Sequence, residues 1–328
     1  MKKFNMPNLK VLSLFCGCGG ADLGVVGGFS FLGKTYKKNA AEIVHASDIN
    51  AKATATYNLN FKHKAEVADV RDVKFKKGFA DVVIGGFPCQ SFSTVNPTKT
   101  PGNRETQLFW EMANVIKLIR PRAIIAENVK GFYRLAGGRY FKMATEEFDR
   151  LGYKMSCMVI NSSDFGVPQL RERIFMVGIR KDLKKQFIFP EPTHGTQHKP
   201  RKSVLSDVID NIEGPGPRYI FSQRAVEGVK RAKKNMKRAL AQDMSKQCLT
   251  ITSHLAKASL NSRDPVILID PAKEKYRRFT PREAARIQSF PDSFQFAGSD
   301  GDAYRQIGNA IPPVVFWHLF SSLEKQLG

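Results

Sequence analysis

A chain of 328 residues, 42% apolar and 25% charged, has the make-up of an ordinary globular protein and is long enough for one large domain or two moderate ones. Its net charge of +22 is not ordinary and predicts attraction to a polyanion, above all nucleic acid. No long apolar span or lipidation motif points to a membrane, and five cysteines, an odd number, predict free thiols in a reducing cytoplasm rather than a disulfide framework.

Met1-Lys2-Lys3-Phe4 lacks the apolar core of a secretion signal. Residues 10–15 read as a strand, and Cys16-Gly17-Cys18-Gly19-Gly20 follows before a helix that begins near Ala21. A glycine-rich turn of this kind lets a ligand approach the backbone. Many α/β loops carry as many glycines, and this one is not a G-x-x-x-x-G-K phosphate loop. Residues 42–46 form a second strand with Asp48 just past its end, where an acid can hydrogen-bond ribose hydroxyls. His45 falls inside that strand and reads as structural. Asp69 follows a short run at 65–68, in a position that an ordinary turn aspartate also fills.

Asp81-Val82-Val83-Ile84-Gly85-Gly86-Phe87-Pro88-Cys89-Gln90 is a buried strand ended by two glycines, with a cysteine where strand hands over to loop. A cysteine there is placed to ionise and act as a nucleophile, although most free cysteines are small buried residues. Leu108, Phe109, Met112, Val115, Ile116 and Ile119 then recur with helical spacing and mark the core face of a helix stopped by Pro121. Residues 122–126 are the next strand, and Glu127-Asn128-Val129 emerges from its end. A helix over 141–151 leads to two more apolar runs, the second at 174–179 directly after Gln169-Leu170-Arg171-Glu172-Arg173.

This alternation predicts an α/β fold: a Rossmann-like, doubly wound, mostly parallel sheet with helices on both faces. Ligands of such sheets bind beyond the carboxyl ends of the strands. The glycine turn, Asp48, Cys89 and Glu127 all fall there, which predicts one site for a nucleoside-bearing cofactor, a thiol nucleophile and a carboxylate. From about Lys184 the alternation stops. Residues 185–276 are expected to form a smaller, irregular domain, and 1–184 with 277–328 the larger one. Within the smaller one a basic, helical stretch contains Arg224, Lys230, Lys234 and Arg238, candidates for phosphate contact on a face that is otherwise simply solvated. The histidines are scattered and Cys16-Gly17-Cys18 is a lone C-x-C, so no metal site is expected. Thr280, Pro281 and Glu283 start a further helix, and Gly308-Asn309-Ala310 precedes an apolar terminal one.

These blocks, in this order and over nearly the whole chain outside 185–275, closely resemble the cytosine-C5 DNA methyltransferases of bacteria and phages. Phe15-Cys16-Gly17-Cys18-Gly19-Gly20 is similar to the family's cofactor loop and Gly86-Phe87-Pro88-Cys89-Gln90 to its nucleophile loop. Glu127-Asn128-Val129, the Gln169 to Arg173 block, Arg286-Ile287-Gln288 and Gly308-Asn309-Ala310 match later blocks. The resemblance implies the class I methyltransferase fold and S-adenosylmethionine as cofactor. Phe15, Gly17, Gly19, Gly20, Asp48, Ile49, Asp69, Val70, Leu108 and Asn309 would line its pocket. Asp48 stands where the family usually has a glutamate, and Ile49 where a larger residue often packs on adenine.

The reaction so implied fits the residues. Cys89, with Pro88 and Gln90 beside it, would add to C6 of a flipped-out cytosine, making C5 nucleophilic. Glu127, protonated or sharing a proton, would supply the hydrogen bond at N3 and the exocyclic amine, Arg173 would support it and the base oxygen, and Arg171 is a neighbouring arginine of the same block. The smaller domain would recognise the target, with Ser91, Thr250 and Thr252 among the DNA contacts. The expected partners are double-stranded DNA and a cognate restriction endonuclease, with the protein a cytoplasmic, nucleoid-associated monomer and no membrane. A tRNA cytosine methyltransferase is the second reading. A DNA-binding module without activity would be expected to lack Cys89 or Glu127. Without the resemblance, Cys89 beside a nucleotide site would suggest a redox protein, against which stands the lack of a resolving cysteine nearby.

Overall fold

The computed structural model describes residues 8–87, 107–233, 241–255 and 266–328. Pro88, Cys89, Gln90, Ser91, Lys234 and Arg238, all singled out above, lie outside them. Among the described residues the body is a seven-stranded sheet. Its strands are β1 (Leu9–Leu14), β4 (Ala41–Asp48), β5 (Glu66–Val67), β6 (Val82–Gly86), β7 (Ala123–Val129), β8 (Tyr153–Asn161) and β10 (Glu172–Arg180), in the order β5-β4-β1-β6-β7-β10-β8. The first five run parallel, and β10 is antiparallel to both its neighbours. The doubly wound α/β architecture is as expected.

Strand β1 is buried at every position except Lys10, because both faces of the sheet are covered. Alternate side chains feed opposite cores. Val11, Val82, Ile84 and Ile125 point to one, and Leu12, Val83, Ile124 and Met176 to the other. The second core is closed by α3 (Gln107–Ile119), whose Phe109, Met112, Ile116 and Ile119 are the stripe read in the sequence, and by α4 (Arg139–Arg150). The first is closed by α1 (Gly20–Val26), α2 (Ala51–Asn60), α6 (Pro281–Ile287), α7 (Asp300–Asn309) and α8 (Pro313–Leu327). At Gly24 the backbone of α1 lies so close to α8 that a Cβ would stand 2.7 Å from Trp317 N and 2.8 Å from Pro313 O.

The expected helix start at Thr280 is present. Thr280 accepts from Glu283 N (3.1 Å) and Glu283 accepts from Thr280 N (2.8 Å), while the Glu283 carboxylate also pairs with the buried Arg277 at 2.7 and 2.8 Å. The hairpin of β2 (Phe29–Phe31) and β3 (Lys34–Tyr36) was not foreseen, since three-residue strands leave no period to read. Among the described residues between 185 and 276 the helices and strands are few, apart from single 3₁₀ turns. They are α5 (Gln223–Lys233), β11 (Cys248–Leu249), β12 (Ile267–Asp270) and β13 (Lys275–Arg277). β11 pairs in parallel with β9 (Gln169–Leu170), and Leu205, Val208, Ile209 and Ile251 share the first core.

Candidate active site

The parallel order reverses at β1, which lies between β4 and β6, and at that switch point a cleft of about 720 Å³ opens beyond the carboxyl ends. Phe15, Gly17, Gly20, Asp48, Ile49, Asp69, Val70, Leu108 and Asn309 all line it, as do Glu127, Arg171 and Arg173. Residues from both ends of the chain thus meet in one cavity.

The loop after β1 is tight: Phe15, Gly17 and Gly19 all have positive φ, at 55°, 55° and 91°. A Cβ on Gly17 would meet nothing within 4 Å, so that backbone faces open cleft. Gly20 lies against the Ile311 carbonyl, which any Cβ there would strike. Gly19, expected in the pocket wall, instead packs beneath it against the rings of Phe61 and Tyr57.

One carboxylate oxygen of Asp48 accepts from Gly17 N (2.9 Å) and the other from Asn50 N (2.8 Å), so the acid ties the loop to the tip of β4. Each oxygen keeps a lone pair for a further donor. Burial pushes its pKa up, against the pull of those N–H groups. Ile49 is 71% exposed and faces the cleft. Asp69 accepts from Arg71 Nε at 2.8 Å and also pairs with its Nη2, a contact the sequence reading missed.

At the other end, register places Gly86 beside Glu127, and a Cβ on Gly86 would stand 3.1 Å from Glu127 Oε2. Arg173 Nε lies 3.2 Å from Glu127 Oε1. Burial raises the Glu127 pKa, opposed first by Arg173 and then by Arg171. Asn128 donates to Phe87 O (3.1 Å) and pins the chain at the last described residue before Pro88. Of the described cysteines, Cys16, Cys18 and Cys157 have thiols pushed up by burial, Cys18 to about 12 and Cys157 to about 11, so none of these three is a ready thiolate.

Arg171 lines the cleft near Arg173 and reaches from it into the protein. It is 2% exposed and donates from Nη1 to Ile251 O and from Nη2 to Gly308 O and Ala310 O, each at 3.0 Å. These bonds tie the segments of Ile251, Gly308 and Ala310 together. Gln169 works beside Arg171, accepting from Ile251 N (2.9 Å) and bonding Gln288, which in turn donates to Ala310 O at 2.6 Å. Both glutamines stood in blocks matched above, and only their polarity within buried segments could have marked them.

Thr250, expected at DNA, donates to Leu170 O at 2.7 Å and so is turned to the protein. The Thr252 backbone lies against Gly308. Lys230 is paired with Glu274 at 2.6 Å, whereas Arg224 is exposed. Among the described residues no helix is long and apolar enough to cross a membrane.

A family model described as C-5 cytosine-specific DNA methylase matches residues 9–325. The chain is 31% identical to the type II methyltransferase M.BsuRI of Bacillus subtilis, over 94% of this chain and 78% of that one. It is equally 31% identical to M.NgoPII of Neisseria gonorrhoeae, over 97% and 96%. The solved Dnmt2 methyltransferase of S. pombe has the same fold, with a TM-score of 0.74 at 22% identity over 98% of this chain and 99% of that one.

Proposed function

The chain belongs to the family of C-5 cytosine-specific DNA methylases, and on that footing we propose that Cys89 and Glu127 methylate one cytosine within a short sequence of duplex DNA, with S-adenosylmethionine as methyl donor. The observation that carries the residue assignment is the Glu127–Arg173 pair, packed against Gly86 at the strand end from which the chain enters Phe87-Pro88-Cys89.

The cleft suits a cofactor with a nucleoside and an amino-acid arm. Asp48 offers two lone pairs for ribose hydroxyls, Asp69 and Val70 border the adenine edge, and the bare backbone of Gly17 leaves room for close approach. When bound, S-adenosylmethionine supplies an electrophilic methyl group. The target base must leave the helix to reach Cys89, at a cost of a few kcal/mol of unstacking. The Cys89 thiolate adds to C6, and the displaced electron pair moves towards N3, where Glu127 delivers a proton. A carboxyl group whose pKa is raised by burial is suited to hold that proton. Arg173 fixes the orientation of Glu127 and bears on the base oxygen. C5 gains the methyl group with departure of the neutral thioether; N3 then returns its proton to Glu127, the C5 proton passes to a base, water being a candidate, and Cys89 leaves C6 as the thiolate.

We assign residues 185–276 to target recognition, the remainder to catalysis, and a cognate endonuclease to the same system, with the protein acting as a monomer in the cytoplasm. The test is bisulfite sequencing of plasmid DNA from cells expressing the protein or its Cys89→Ser variant. Protected cytosines in one recurring context, absent with the variant, are expected. No methylation by soluble protein that still binds S-adenosylmethionine would overturn the reading and turn attention to tRNA.

A further inference from the structure

The cleft occupies the carboxyl edge of the sheet, and the opposite edge carries more positive charge than its fold requires. Asp81 N donates to Lys10 O (2.8 Å), Arg122 N to Asp81 O (2.7 Å), and Arg180 N to Arg122 O (3.0 Å). Gly78 N donates to Ile119 O (2.9 Å) and Lys184 N to Lys181 O (3.1 Å), while Arg180 Nη1 reaches Arg120 O (2.6 Å). These bonds bring Lys76, Lys77, Lys117, Arg120 and Lys184 to a single edge, and all five are exposed. The edge acids are engaged elsewhere: Asp149 with Lys181, Asp182 with Arg180 and Glu147 with Arg150. Among the described residues Lys76, Lys77, Lys117 and Lys184 have no ion pair, while Arg120 lies in the field of Asp182.

Helix ends do not account for them. α3, α4 and α8 finish at this edge, each with a partial charge of about −0.5, roughly −1.5 in all. Arg122 and Lys185 already serve the end of α8, through Leu327 O (2.7 Å) and Gln326 O (2.8 Å), as Lys181 serves α4 through Asp149 O (3.1 Å).

We propose that this amino edge is a second DNA-binding surface, which takes the phosphate backbone of another duplex segment while the cleft holds the target. From Asp81 to Phe87 the two edges lie about 20 Å apart, six strand steps of roughly 3.3 Å, so the duplex at the cleft is not the one that meets these lysines. The occupant is duplex because the substrate of the family is DNA, a polymer that always brings further phosphate backbone close to a bound enzyme. Holding two segments would let the protein pass between them without release. The proposal rests on the family's substrate and not on the role of Cys89.

The test is capture of a second duplex. Protein is loaded on bead-tethered duplex carrying the methylated context, and labelled duplex without it is added. The wild type is expected to retain the label in a salt-dependent way. A variant with Lys76, Lys77, Lys117 and Lys184 all changed to Gln should lose the label but methylate a short duplex unchanged. Its log–log salt slope for long DNA should fall by roughly 0.9 for each phosphate contact removed. The same four positions changed to Arg should keep the label. No retention by the wild type, equal retention by the glutamine variant, or retention of anionic vesicles in place of duplex would overturn the proposal. Failure of the protein to methylate would sink the reading of the cleft but leave the capture readable.

Discussion

Glu127 and Asp22 are both buried acids, and they should respond to pH in different ways. Glu127 faces the cleft beside Arg173, and Glu127→Gln keeps its shape while removing the proton it would deliver. Single-turnover methylation should fall by about 10²–10⁴, with DNA binding retained. The wild-type rate should also decline as pH rises through the raised Glu127 pKa, a limb absent from the variant. Asp22 is fully buried beneath the glycine loop, accepts from Ser13 Oγ (3.0 Å) and Tyr57 Oη (3.2 Å), and is pushed up by burial to about 7. Below the unfolded value of about 3.9 both states hold the proton, and stability from this group is complete. Between there and about 7 only the folded state holds it, so stability falls as pH rises, by up to roughly 1.4 kcal/mol per unit, and levels off above. Denaturant unfolding at pH 5 and pH 8 should show that loss in the wild type and a smaller one in Asp22→Asn. Glu127 was legible because a carboxylate in Glu-Asn-Val at a strand end has few other readings. Asp22 was not, since nothing in a seven-residue helix says which side an acid faces.

Of the elements up to β10, the longer ones such as β1, β6, α3 and β10 were legible because each shows its period, whereas β2 and β3 are too short to show one. The join between the two proposed domains was not. It rests on β9 and β11, two residues apiece, and on Arg171, whose three carbonyl partners come from segments 80 to 139 positions away. Thr250, just past β11, donates its hydroxyl to Leu170 O, a contact equally invisible in the sequence. Arg171→Met would leave the carbonyls of Ile251 and Gly308 without this donor, at about 1–3 kcal/mol for each group left unpaired, while Ala310 O keeps Gln288. Gly308→Ala would drive a Cβ into the backbone of Thr252 and Ser253. Both variants should melt earlier. If this seam sets the recognition segment against the cofactor wall, Gly308→Ala should also methylate near-cognate sites at a higher ratio to the cognate one. A lower melting temperature with unchanged discrimination would reduce the seam to a structural role.

Across the whole molecule the fold closes at its two ends. The loop after β1 and Asn309 line one cleft, and α8 packs on α1 where Gly24 removes the side chain from the crossing. Periodicity alone cannot say which distant helix covers which, and the family's order of blocks carried that information. A ligand in the cleft touches β1, β4, the turn at Asp69 and the end of α7 together, so its binding energy should appear as stability of the entire chain. A ligand at 100 times its Kd adds about 2.7 kcal/mol to a fold that binds it only when native. S-adenosylmethionine and its demethylated thioether product should therefore both raise the melting temperature, and ATP, which shares only the nucleoside, should raise it less. Asp48→Ala loses the carboxylate that holds Gly17 and Asn50 as well as the ribose acceptors, so its own melting temperature should fall and the response to ligand should vanish. Restoration of that response in Asp48→Glu, the residue usual at this position in the family, would separate the ribose role from the loop tie. A wild-type melting temperature that ignores both adenosyl compounds would leave the cleft without its assigned cofactor.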